Sequence, residues 1–457
     1  MERTPPPLDG ELRFDELTCA EHSDDFGHIL RHVPEAVLLP GSADDVARAI
    51  RWAAQRGRKF AAQGARHATF GRSLVAGGIV ADMSTLGSIG VVEDDRVVVG
   101  AGARWSDVLR ATVAQGKTPP VLTEYLDLSV AGTLIVGGVG GTTSAYGVQS
   151  DNVLAMDVVT GEGTTLSCSA TENVELFDMV RAGLGQVGVI VTATLKLVAA
   201  PESVRRFQLV YPDLATLLRD ERLLSGDERF DAVQGAIAAA PGGGIAYRLD
   251  VVKYFDGDPP DDTVLLADLS DDPNQRQPTT LGYFDYANRF AALETALRAN
   301  GQWFFPHPWL MTFVGDSRIE SVVTAELQSM NPATDLGPFG QLTISPIRRS
   351  AISSPLLRIP SDDLCYAFNF VRMPATSDAE EVQRLVAANR TAYGRIKAAG
   401  GTLYPVSAFP LSQHEWRDHF GPAFDQLDAA KRQYDPYAIL NPGYDLFEQL
   451  RPQPAVG

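Results

Sequence analysis

Basic residues are scarce in this chain. Of its 457 residues, 39 are Lys or Arg against 57 Asp or Glu, a formal net charge of -18. Phosphate backbones and anionic membrane surfaces are gripped by clustered Lys and Arg, so this balance argues against both as partners. A small uncharged or cationic ligand is the easier one. Cysteine is scarcer still: Cys19, Cys168 and Cys365 are odd in number and widely separated. That is neither a disulfide framework nor a metal-ligand spacing, and buried thiols and no metal are expected. No apolar run approaches the roughly 20 residues that span a bilayer. The opening "MERTPPPLDGELRFDELTC" has no basic segment followed by an apolar one, so a soluble, cytoplasmic protein is expected. The sequence also lacks internal repeats.

What is present suffices for a large core. Apolar residues make up 45% of the chain, and the length exceeds what one core usually serves, so two domains are expected. "AVLLPGSADDVARAIRWAAQRG" predicts a strand, a Pro-Gly turn, Ser42 as N-cap before two Asp, and an amphipathic helix ending at Gly57. "KFAAQG" predicts a second strand, which puts His67 in the loop after it. A helix is predicted from about Ser106, a hairpin through "VLAMDVVTGEGTTLSCS" turning at Thr160 to Gly163, and a long strand in "VGVIVTATLKLVAAP". This order suits α+β better than a doubly wound parallel sheet. After Pro201 the texture changes: strands such as "GIAYRLDVVKYF" and "LCYAFNFVRM", the helix "AEEVQRLVAANRTAYGRIKAAGG" and a disordered-looking connection "SDDPNQRQPTTLG" suggest a second domain with an antiparallel sheet and flanking helices to about Leu411. The tail reads as one helix stopped by Asp435-Pro436, then a short apolar piece ending near Leu450.

Three places could carry chemistry. Around His67, Gly64 and Ala65 let backbone approach a ligand closely, successive N–H groups form a nest for phosphate oxygens, and Arg66 adds charge. A histidine in a polar loop is nonetheless most often just solvated. The run Gly137, Gly138, Gly140, Gly141 resembles a phosphate loop, but it lacks the strand-turn-helix context of GxGxxG and any following Lys-Ser or Lys-Thr. A Rossmann site is therefore not expected, and a bend pressed against another backbone is an equal reading. Just before it, Glu124 stands between Val121-Leu122 and an apolar stretch, where a partly buried carboxylate could serve as a base; a surface Glu is the plainer alternative. In "PHPWL", His307 and Trp309 are candidates to line a pocket, although aromatics beside two prolines more often pack.

The order and spacing of these segments is more informative than any one. "DDFGHILRHVPEAVLLPGSADDVARAI", "GGIVADM", "LTEYLDLSVAGTL", "NVLAMDVVTGEGTTLSCS", "AGLGQVGVIVTATLKLVAAP", "HPWL", "EWRDHFG" and "DPYAILNPG" run almost end to end. The chain resembles the FAD-linked oxidases of the vanillyl-alcohol oxidase superfamily, and within it the cytokinin dehydrogenases. The resemblance implies a two-domain PCMH-type FAD-binding fold. Residues 1–200 and a returning segment, 412–457, would hold FAD, and a cap domain, 201–411, would shape the substrate pocket. The family's Arg-Gly-x-Gly-His-Ser motif lies over Gln63 to Ala68, so His67 falls where the family bonds the flavin 8-methyl carbon. No Cys stands between Leu122 and Gly132 to make a second bond. Glu124 falls where the cytokinin dehydrogenases have the Asp of Thr-Asp-Tyr-Leu, the base that takes the substrate's amine proton as hydride leaves for flavin N5. The resemblance places the cofactor contacts at Gly64, Ala65, Arg66, His67, Ala68, Thr69, Arg72, Ser129, Gly132, Thr133, Ile135, Val139, Ile190, Asn441 and Tyr444.

Departures from the pattern accompany it. Ala68 replaces a serine, Arg72 a glutamine, Arg66 a glycine, Ile135 a serine and Tyr444 the glutamine of Pro-Gly-Gln, while Phe409-Pro410 falls where the family has a flavin-facing tyrosine. FAD binding is expected to survive because the glycine framework remains; cytokinin specificity does not follow. The resemblance thus implies an FAD-dependent oxidase or dehydrogenase acting on a C–H beside an amine or hydroxyl, with Glu124 as base and oxygen or a quinone-like acceptor reoxidising the flavin. Cytokinin dehydrogenation is the first alternative, and a redox-silent flavin-binding cyclase or binding protein the second.

Overall fold

The computed structural model describes residues 5–447. Short strands and well-capped helices build the first part of the chain. Ser42 caps the helix Ala43–Gln55 by accepting from the Asp45 amide, with Asp44 and Asp45 in its first turn. This helix buries Val46, Ala49, Ile50 and Ala53 completely, packing them on Leu38, Phe60 and Ile79. It connects two strands of a four-stranded sheet ordered Glu11–Arg13, Ala36–Leu39, Ile79–Asp82, Phe60–Gln63. The last three strands are parallel and the first is an antiparallel edge.

Beside it lies an antiparallel five-stranded sheet, Ile89–Val92, Arg96–Gly100, Val189–Lys196, Val153–Val159, Thr165–Ser169. The last two strands form the expected hairpin, pairing Val159 with Thr165. A third, eight-stranded sheet takes its strands from residues 203 to 403 in the order Gln277–Gly282, Ser203–Tyr211, Ile245–Phe255, Ala232–Ala239, Gln341–Arg348, Leu364–Val371, Leu310–Gly315, Thr402–Leu403. All its neighbours are antiparallel. The arrangement is α+β, as the order of elements predicts.

Two expectations need correction. The connection from Ser270 to Gly282 is not irregular: after a turn at Pro273–Gln275 it forms the strand Gln277–Gly282, aligned along Ser203–Gln208. Its residues are almost all exposed, so it has no apolar alternation to betray it, and Pro278 is tolerated because this is an edge. The tail is two helices, Gln413–Phe420 and Ala423–Tyr434, divided where Gly421 adopts φ +54 ahead of Pro422. The apolar piece expected to end near Leu450 lies partly outside the described residues.

Where the first tail helix is buried, His419 sits edge-on to Trp416 and Phe420, 8% exposed and with Nε2 lacking a partner among the described residues. Burial, then Arg358 and Lys397, push its pKa down to about 3. A histidine with a depressed folded pKa penalises the native state as pH falls below its unfolded value of about 6.5. Between pH 7 and 5 this one group should remove roughly 2 kcal/mol of stability. Urea unfolding at both pH values should therefore show a loss smaller by that amount in His419→Phe than in the wild type; equal losses would refute the assignment.

Candidate active site

The strand Phe60–Gln63 delivers the chain to Gly64, where a Cβ would lie 1.9 Å from Ser129 Oγ. Only glycine fits there. Ser129 precedes the short helix Val130–Leu134, and at Gly132 a Cβ would lie 2.7 Å from the same hydroxyl. Gly188 meets the Val158 side chain in the same way, at 2.3 Å. Together Gly64, Ser129, Gly132, Ile135, Ile190 and Asn441 line one cavity, with Phe60, Met83 and Ala101 adding an apolar wall. Asn441 holds a left-handed φ of +49, and its Nδ2 donates to the Leu184 carbonyl at 2.8 Å. Its Oδ1 is buried with no partner among the described residues, an acceptor left over for a ligand. Backbone stripped of side chains, apolar walls and a spare acceptor suit a ligand that is part polar and part apolar.

Other candidates do not reach this cavity. Thr69 donates to the Val406 carbonyl at 2.6 Å, and Thr133 accepts from Trp105 Nε1 at 2.9 Å. Arg72 is buried, donates to the carbonyls of Phe409 and Gly443, and lies over the Tyr444 ring at 5.0 Å. The two residues that replace family glutamines thus pack on each other and tie the loop to the tail. The glycine run proves to be a close-packed bend: a Cβ on Gly138 would lie 2.2 Å from Gln149 Oε1, and one on Gly140 2.0 Å from the Leu122 carbonyl. Val139 beside it is half-buried against the core. Tyr404, which the sequence did not single out, accepts from the Gly138 amide at 3.2 Å through its hydroxyl.

The loop after Gly64 turns on Arg66, whose φ is +56. The family's glycine suits that conformation, and arginine adopts it here at a cost. The N-terminal segment braces this loop. Phe26 N donates to Arg66 O and Gly27 N to Ala68 O, and buried Asp25 accepts from the amides of Gly27 and Gly71. Burial pushes the Asp25 carboxyl up to about 7.

So braced, His67 is held between two rings. Phe26 stacks on it at 3.8 Å and Tyr125 at 4.8 Å, and Phe26 stacks in turn on His307 at 3.8 Å. His307 is a packing residue: it is 1% exposed, with Nδ1 2.8 Å from the Phe26 carbonyl. Trp309 donates to the Arg372 carbonyl. Burial, then His307 and Arg298, push the His67 imidazole down to about 3. It is therefore neutral near pH 7. His67, Ala65 and Arg66 line a second cavity of about 360 Å³ with Tyr125 and Trp303, so they are neighbours of the first cavity rather than part of its wall.

Glu124 lines neither of these two cavities, whereas Tyr125 lines the second. It is half-buried and pairs with Arg289, which lies two residues beyond the helix Tyr283–Ala287. Arg289 also donates to the Tyr286 carbonyl at 3.1 Å and lies over that residue's ring at 4.3 Å. Burial alone would lower its pKa, but Glu124, Tyr286 and Asp250 outweigh it and the guanidinium is held charged. Beside it, Arg206 is occupied by both oxygens of Asp250. The base predicted from the sequence thus sits at the seam between the early sheets and the eight-stranded one. Nothing in the spacing of "YFDYANRF" announced its partner.

Known proteins match along the same lines. A model described as "FAD binding domain" covers residues 34–169, and one described as "Cytokinin dehydrogenase 1, FAD and cytokinin binding" covers 237–447. An oxidoreductase of the fasciation locus (ORF5) of Rhodococcoides fascians is 40% identical over 96% of this chain and 99% of its own. Cytokinin dehydrogenase 6 of Oryza sativa subsp. japonica is 32% identical over 98% and 93%. The crystal structure of 6-hydroxy-D-nicotine oxidase from Arthrobacter nicotinovorans, at 22% identity, superposes with a TM-score of 0.71 over 96% of this chain and 98% of that one, a likeness of fold. Identity at these levels over nearly whole chains, with both models matched in order, places this chain among the PCMH-type FAD-dependent oxidoreductases, in the group related to the cytokinin dehydrogenases.

Proposed function

We propose that the enzyme removes hydride from a C–H beside an amine or hydroxyl of a small metabolite, in bacterial specialised metabolism, with Glu124 accepting the N–H or O–H proton. The observation that carries this reading is the position of Glu124, a half-buried carboxylate at the seam between the early sheets and the eight-stranded sheet. In this reading residues 1–200 and 412–457 hold the cofactor and 201–411 cover it. When bound, FAD supplies the hydride acceptor at N5. Gly64, Ser129, Gly132, Ile135, Ile190 and Asn441 hold it. Thr69, Arg72, Thr133, Val139 and Tyr444 fix that wall from behind, and Ala65, Arg66 and Ala68 carry the loop that presents His67. Oxygen or a quinone-like molecule takes the electrons on, in the cytoplasm. No helix among the described residues is long and apolar enough to cross a membrane.

His67 is in this reading the covalent tether. A neutral imidazole has a free nitrogen lone pair, and no hydrogen bond to either ring nitrogen occurs among the described residues. Acid denaturation of the purified protein should leave yellow colour in the pellet, and His67→Ala should release it to the supernatant. Colour in the wild-type supernatant would make His67 a non-covalent contact. Anaerobic titration with amines and hydroxy compounds should bleach the flavin for at least one of them; persistence of the oxidised spectrum against every one would overturn the hydride reading.

Cytokinin dehydrogenation is the second reading, favoured by the model matched over 237–447 and by the identity to the rice enzyme. Against it stands Glu124 itself. Its extra methylene moves the carboxylate by more than the ~1 Å that matters to a reacting geometry. Bleaching by an N6-substituted adenine in the same titration would decide for it.

A further inference from the structure

Arg289 is the group at this seam that base catalysis leaves unexplained. Its side chain is 19% exposed, its guanidinium carbon lies 4.3 Å from the Tyr286 ring centre, and Glu124 is its contacting carboxylate. The neighbouring cation, Arg206, is already paired through Nε and NH2 with Asp250, so Asp250 is not free to take Arg289 over. When Glu124 accepts a proton in turnover it becomes neutral, and Arg289 is left a largely buried cation whose remaining nearby carboxylate, Asp250, is already bonded to Arg206. Breaking a buried pair on one side is strongly unfavourable. Within the protein alone, the pair therefore opposes the proton transfer it adjoins.

A substrate that brings its own anion removes the conflict. We propose that Arg289 is the substrate anchor: it exchanges Glu124 for a carboxylate on the substrate, which frees Glu124 to act as base and restricts turnover to carboxylate-bearing amines or hydroxy compounds. The planar guanidinium fork suits this exchange, because it grips a carboxylate through two parallel N–H bonds and stacks on an aromatic face meanwhile. The net charge of -18 belongs to the whole chain; at this seam two arginines face two carboxylates, and protonation of Glu124 leaves one positive charge in excess. The inference rests on Glu124 being the base, but its binding half can be measured without turnover.

The test uses benzoate and its neutral isostere benzamide, titrated calorimetrically into the FAD-loaded protein. Benzoate is expected to bind at least tenfold more tightly than benzamide, Arg289→Met to abolish that preference and Arg289→Lys to keep part of it. Glu124→Gln, which removes the competing carboxylate without touching Arg289, should tighten benzoate tenfold or more. Equal affinities in the wild type, no measurable benzoate binding to wild type or Glu124→Gln, or a preference that survives in Arg289→Met would each overturn the anchor. Should Arg289→Met fail to fold, the Lys and Gln variants still decide it. The outcomes separate from those of the base assignment, since tightening in Glu124→Gln with an unchanged flavin reduction rate would keep the anchor and remove the base.

Discussion

Glu124→Gln is expected to slow anaerobic flavin reduction roughly 10²- to 10⁴-fold, the usual effect of losing a positioned general base. Gln keeps the length and shape of the side chain, so the half-buried position beside Arg289 should be filled much as before. What is lost is the ability to take a proton. Stopped-flow reduction at saturating substrate isolates this step from binding, since a rate that falls at saturation reports an interaction made in the transition state. Glu124→Asp is the informative companion. It restores the carboxylate that the cytokinin dehydrogenases carry at this position, one methylene shorter. Recovery of N6-substituted adenine oxidation in that variant would tie substrate choice to carboxylate reach, whereas an undiminished rate in Glu124→Gln would remove the residue from proton transfer altogether.

The second large effect is on stability. Lys431 and Asp435 form an ion pair at 2.7 Å with exposures of 1% and 0%. Burial pushes the Lys431 ammonium down, partly offset by Asp435. The pair is well satisfied: Lys431 Nζ also donates to the Gln186 carbonyl at 2.8 Å, and Asp435 accepts from the amides of Ile439 and Leu440. Lys431→Met strands a buried carboxylate and should lower unfolding stability by about 3–5 kcal/mol. The double variant Lys431→Met/Asp435→Asn should recover much of that, because neither charge is then left alone. Denaturant unfolding of the three proteins measures it. A loss below about 1 kcal/mol in the single variant would mean that the carboxylate finds another partner or a proton. Asn441, which lines the first cavity, follows directly on the residues Asp435 holds.

Much of the fold is legible in the sequence because local chemistry and burial agree there. Ser42 with two following acids marks a helix start, the Thr160 to Gly163 turn marks a hairpin, and both occur as read. Legibility fails where a segment is defined by its neighbour alone. The strand Gln277–Gly282 has no buried stripe and exists because Ser203–Gln208 offers an open edge. The break at Gly421-Pro422 was available in the residues but masked by helical periodicity on both sides. At the site, His67 and Glu124 stand out through the resemblance, but their surroundings do not. Phe26 is delivered by the N-terminal segment, and Arg289 by a residue 165 positions from Glu124. Such pairs are made by topology, and no spacing along the chain encodes them.

The first cavity also has a history in time. Phe60 and Asn441 both line it, and the two are stitched together backbone to backbone: Phe60 N donates to the Ile439 carbonyl, and Asn441 N to the Phe60 carbonyl, each at 2.8 Å. Lys59 adds a bond from its ammonium to the Ala438 carbonyl. Synthesis runs from the N-terminus, so the strand Phe60–Gln63 must wait with this edge unsealed until the whole eight-stranded sheet has been made. With the first cavity as the proposed flavin site, cofactor capture becomes a late act in the life of each molecule, and a ribosome that stalls before residue 438 releases a chain with most of its core and that cavity unfinished.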